Sequence, residues 1–128
     1  MRRFESTPFG RLQTPAGPCL HAWVAGSLAA RLVGLAWLRH WPDSHALLLP
    51  CCRSVHTVGM RFPVDVAFVS WPPAGGACEV VALEVALPPL QIVATRALPR
   101  CSVAAIESGA HILRGLGASP GASVTFIA

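Results

Sequence analysis

The run Ser54-Val55-His56-Thr57-Val58-Gly59-Met60-Arg61-Phe62-Pro63-Val64-Asp65-Val66-Ala67-Phe68 decides the fold. Pro63 locks its own φ and holds Phe62 in extended geometry. Past it, Val64, Val66 and Phe68 alternate with Asp65, Ala67 and Val69, the two-residue period of a strand. Trp71-Pro72-Pro73-Ala74-Gly75-Gly76-Ala77 reads as a turn segment, and Glu79 to Leu87 as a β-branched, apolar strand. Residues 64–70 and 79–87 are therefore expected to form a hairpin.

Working outward, Cys19 to Val24 and Ala46 to Leu49 read as short strands, the second ended by Pro50. Between them, Leu28, Arg31, Leu32 and Leu35 have helical spacing. Ser27 is placed to cap a short helix running to about Gly34. Trp37 to Ser44 reads as a loop. On the other side, Leu90 to Thr95 and Ser102 to Ile106 are expected strands, Gly109 to Leu116 a short helix and Ser123 to Ile127 a closing strand. Residues 1–18 are polar, with three Pro and two Gly, and read as an arm that lies on the surface or frays. Residues 19–128 are expected to form one globular domain. About seven short strands with Pro/Gly punctuation predict a mainly β fold. Its form is a compact β-sandwich, jelly-roll-like or barrel-like domain with one or two short peripheral helices.

Composition bounds the function. A chain of 128 residues, 53% hydrophobic and 12% charged, has the apolar content for a packed core. The net charge is +4, and all ten basic residues are Arg, scattered from Arg2 to Arg114. No basic run alternates with aromatics, which argues against nucleic-acid binding. Met1-Arg2-Arg3 is followed by Glu5 and Pro8 rather than an apolar run, so no export signal is expected. No uncharged apolar run approaches the ~20 residues of a membrane span. A cytoplasmic location is the expectation, with Cys19, Cys51, Cys52, Cys78 and Cys101 as reduced thiols.

With these elements in place, the chain resembles the prokaryotic family catalogued as domain of unknown function 192. The resemblance covers roughly Leu20 to Ile127 and rests on four blocks in order. They are Ala30-Arg31-Leu32-Val33-Gly34-Leu35, Leu47-Leu48-Leu49-Pro50-Cys51, the Val55-His56-Thr57 to Phe68 stretch, and Gly109 with Leu116 to Val124. The third block is the specific one. Two departures stand out. The family often has a Glu four residues before the Gly matched here by Gly109, where this chain has Ala105 with Glu107 displaced. It often has Gly-Asp before the last strand, where this chain has Gly121-Ala122. The resemblance implies a compact, jelly-roll-like β-sandwich and supplies no activity.

The candidate site residues are His56, Thr57, Arg61, Asp65 and Trp41. His56 and Asp65 would converge on one rim if residues 55–57 end a strand and Val64 begins the next. A carboxylate can fix an imidazole tautomer for general-base chemistry. Against this, Asp65 can brace the Val58–Phe62 loop through backbone N–H bonds or Arg61. Cys51 and His56 offer metal ligands, but the paired Cys-x₂₋₄-Cys of a structural zinc site is absent. Trp37, Trp41, Phe62 or Trp71 could line a groove, with Trp37-Leu38-Arg39-His40-Trp41 the best placed. No cofactor motif and no Gly-x-Ser-x-Gly elbow occurs. The resulting expectation is a small, non-catalytic binding or accessory module for a small ligand, peptide or protein. A small enzyme using His56 and Asp65, or a metal site at Cys51 and His56, is the alternative.

Overall fold

The computed structural model describes residues 9–25, 35 and 38–127. The helix expected from Ser27 to Gly34, and Trp37, lie outside the described residues. Nine strands are described: β1 Phe9–Gln13, β2 Leu20–Val24, β3 His45–Leu49, β4 Ser54–His56, β5 Val64–Ser70, β6 Ala77–Leu87, β7 Ile92–Ala94, β8 Val103–Gly109 and β9 Ser123–Ile127. A single turn of helix, α1, spans Ile112–Gly115.

Seven strands close into a barrel in the order β1-β2-β3-β8-β5-β6-β9, and β4 and β7 form a separate two-stranded sheet. β1 meets β9 and completes the ring. The β2–β3 pair is parallel and the remaining pairs are antiparallel. The expected hairpin is present as β5–β6, with one register shift across Asp65, between Val64 and Val66, and another after Phe68.

The two-residue period divides the core in two. Leu12, Leu20, Leu48, Ala67, Val69, Val80, Ile106 and Val124 belong to one cluster, to which all seven barrel strands contribute, so it fills the barrel. Leu113 of α1 joins that cluster. Leu47, Val64, Val66, Phe68, Val103 and Ala105 form the second cluster on the outer face of β3, β8 and β5. Val55 of β4, Met60 and Trp41 cover it from outside, with Val93 of β7 packed against it. Because both faces are covered, every residue of β8 and all but the last of β5 are buried. Alternation survives as a split between two cores, not as inside against solvent.

The segment read as a surface arm differs at its end. Phe9–Gln13 is a barrel strand, paired with β2 on one side and β9 on the other. Leu12 is fully buried in the barrel interior, which ties this polar strand into the sheet. Gly17 takes φ 79°, a left-handed conformation that suits glycine, and lies against the Leu116 side chain.

Candidate functional site

The strand period separates the two residues read as a pair. Val64, Val66 and Phe68 face the outer core, so Asp65 faces the barrel interior with Ala67 and Val69. His56 lies on β4, in the sheet that covers the outer face, and is itself exposed. The wall of β5 therefore stands between them, and the rim that would join them does not form. Asp65 is wholly buried. Its Oδ1 accepts the backbone N–H of Ala86 at 2.9 Å and of His111 at 2.8 Å, and its Oδ2 accepts that of Arg114 at 3.2 Å. Ala86 and His111 both adopt positive φ, at 50° and 68°. The carboxylate thus pins two left-handed residues and the start of α1 to the end of the barrel. It braces the fold, through β6 and α1 rather than through the Val58–Phe62 loop.

Thr57 is also structural. It is fully buried, its hydroxyl donates to the Pro88 carbonyl at 2.7 Å, and that oxygen accepts the Gln91 N–H at 2.8 Å. These bonds tie the β4 end to the segment before β7. Arg61 is exposed on the loop before β5. Cys51 Sγ lies 3.9 Å from the Cys101 carbonyl. Among the described residues no three His, Cys, Asp or Glu side chains come together as metal ligands.

Trp41 leads to a different place. Its indole N–H donates to the His45 carbonyl at 3.0 Å, which anchors the loop before β3 to the barrel. A cleft of about 270 Å³ opens beside it. Trp41, Phe62 and Pro63 supply apolar walls, Arg39, His40 and Asp43 the polar lining, and Gly109 and Ala110 the end of β8. A Cβ built on Gly109 would lie 3.6 Å from Asp43 Oδ1 and from Ile112 Cγ1, so a larger side chain there would intrude on the cleft. Trp71 is elsewhere, edge-on to Phe126 with ring centroids 6.2 Å apart.

Two ionisable groups outside the cleft's lining sit on the outer face of β3 and β8. His45 accepts the Trp23 indole N–H at Nδ1, 3.0 Å away, so the neutral ring carries its proton on Nε2. Burial, helped by the neighbouring charge of His21, holds its pKa below 6.5. Glu107 is the more unusual. It lies on β8 opposite Leu47 of β3 and Val66 of β5, both in the outer core. It is 1% exposed, and its Oε1 has no hydrogen-bond partner among the described residues. Leaving such an oxygen unpaired costs roughly 1–3 kcal/mol. Burial pushes its pKa from 4.5 up to about 8, so the side chain is mostly a neutral acid at pH 7. Glu107 and Gly109 are two residues apart on one strand, hence on one face and roughly 7 Å apart. A single acid directly after the apolar run Val103 to Ile106 is the sequence signal for it.

No family model matches the chain, and no curated protein matches it. Two solved structures share its fold. A Sinorhizobium meliloti protein provisionally described as a transcription regulator is 19% identical, with a TM-score of 0.77 over 94% of this chain and 95% of that one. A Novosphingobium aromaticivorans protein of unknown function is 17% identical, with a TM-score of 0.74 over 94% of this chain and 86% of that one. At these identities the likeness establishes the fold alone.

Proposed function

We propose that the protein is a small, non-catalytic binding module whose ligand occupies the cleft beside Trp41. The observation that carries this reading is the cleft itself: aromatic walls, side chains of both charges and the Gly109 end of β8. Such a mixture of apolar walls and a few polar groups is the common form of a small-molecule site. Among the described residues its lining includes no Ser, Thr, Cys or Lys to act as a nucleophile. At about 270 Å³ it suits a small molecule better than a length of peptide.

Membership of the domain of unknown function 192 family is part of the same proposal. The Val55-His56-Thr57 to Phe68 block supports it, and it spans the end of β4, the covering loop and most of β5. The left-handed residue after β8 is His111, and Glu107 precedes it by four residues. Matching the family's Gly to His111 instead of Gly109 therefore brings its Glu onto Glu107. Among the described residues no helix is long and apolar enough to cross a membrane. A cytoplasmic location belongs to this reading, in keeping with five cysteines that stand as thiols.

A fragment titration followed by amide NMR tests the cleft. The expected result is that shifts cluster on residues 39–43, 62 and 109–110, and that Gly109→Val abolishes them. Shifts centred instead on His56 and Arg61, or binding unchanged in Gly109→Val, would overturn the proposal.

A further inference from the structure

We propose that Glu107 is the buried end of this binding site and receives a basic nitrogen, which makes the ligand an amino-acid-like zwitterion. The proposal rests on the cleft reading above and names the ligand class for it.

Three observations lead there. First, Glu107 Oε1 is a buried acceptor with no partner among the described residues, on a face whose neighbours Leu47, Val66 and Ala105 are apolar. A buried polar atom without a structural partner is a functional candidate. Second, the next residue of β8 on that face is Gly109, which lines the cleft. With no side chain at 109, β8 itself places nothing between the cleft and the carboxyl. Third, the cleft carries both signs of charge. Arg39 and His40 suit an anionic group, and Trp41 and Phe62 suit an apolar body. An ammonium directed along β8 toward Glu107 would complete the set.

The match is chemical as well as spatial. A carboxylate is stable in an apolar site only when a cation and hydrogen bonds accompany it. Burial raises the pKa of Glu107 to about 8 while the site is empty. An ammonium donating to Oε1 would reverse that and leave a neutral pair inside the protein. An anion without a nitrogen would gain only the outer contacts.

Three probes separate these contributions: phenylalanine, phenethylamine and 3-phenylpropanoate. Each is titrated into the full chain, with cleft amides and the Glu107 side-chain carboxyl carbon observed by NMR. Phenylalanine is expected to bind at least about tenfold more tightly than 3-phenylpropanoate, the effect of one charge-assisted hydrogen bond. The Glu107 carboxyl should move to its ionised position with both amines. In Glu107→Gln the advantage of phenylalanine should vanish while 3-phenylpropanoate binds as before. Should that variant not fold, the carboxyl resonance of the unmodified chain decides the question. Equal binding of phenylalanine and 3-phenylpropanoate, with the carboxyl unmoved, would overturn the proposal and leave the cleft reading standing. The proposal is likewise overturned if none of the three shifts the cleft amides while other fragments do. If no fragment does either, the cleft reading falls with it.

Discussion

Replacing Asp65 by Asn tests whether that residue is a brace or part of a site. The carboxylate holds three backbone N–H groups at 2.8–3.2 Å inside the barrel end. In the Asn variant the remaining oxygen can keep Ala86 and His111, but without the help of a negative charge. The amide NH₂ then faces the Arg114 N–H, donor against donor. Losing one charge-assisted bond and weakening two amounts to about 3 kcal/mol. Asp65→Ala strands all three donors and releases the left-handed residues Ala86 and His111. Its loss, about 5 kcal/mol or more, rivals the whole stability of an ordinary domain. Asp65→Asn is therefore the informative variant. Urea unfolding followed by tryptophan fluorescence reads the change, with amide NMR to show whether α1 is loosened. A loss below about 1 kcal/mol with α1 intact would refute the bracing role. So would a fully stable variant that no longer binds fragments in the cleft.

Glu107 gives stability a dependence on pH. The folded carboxyl titrates near 8 and the unfolded one at its ordinary 4.5, so between these values the folded state holds the extra proton. Stability is then lost as pH rises through that window. Relative to Glu107→Gln, the unmodified protein should lose about 3 kcal/mol between pH 5 and pH 8 in urea unfolding. A difference that does not change with pH would contradict a buried neutral carboxyl. Thr57→Val removes a hydroxyl that serves Pro88 and Gln91. It should destabilise by about 2 kcal/mol and raise hydrogen exchange at the Gln91 amide. Gly17→Ala puts a methyl group against Leu116 at a positive φ. It should lose about 1–2 kcal/mol, seen as a lower Tm, where an unchanged Tm would contradict the close approach.

The sequence was most legible where local chemistry dictates geometry. Pro63, the alternation after it and the Gly75-Gly76 turn mark β5 and β6 without any knowledge of their neighbours. The short strands β2, β3 and β9 are similarly bounded by turn residues or Pro50. Phe9–Gln13 was less visible, because Leu12 is the one buried residue among those of the strand whose burial is described, and the pairing partners are distant in sequence. The parallel β2–β3 register and the β4–β7 sheet are long-range choices that a one-dimensional pattern does not encode.

The site shows the same division. Asp65 was readable as a brace, but its partners lie 21, 46 and 49 residues away. His56 and Asp65 are close in sequence, yet the pleat of β5 sends them to different sides of one wall. Trp41 was singled out as a loop aromatic and does line the cleft. By sequence alone Glu107 stands displaced from the Glu of the family the chain resembles. Only the burial of β8 on both faces turns it into a buried acid whose Oε1 has no partner among the described residues.

The titration midpoint of the Glu107 side-chain carboxyl, measured by carbon-detected NMR on the empty protein, bears most directly on the proposed site. A midpoint near 8 is expected for an unpaired acid sealed against the outer barrel face. A midpoint near 4.5 would mean that water or a cation already attends the carboxyl, and would contradict the buried end assigned to the cleft.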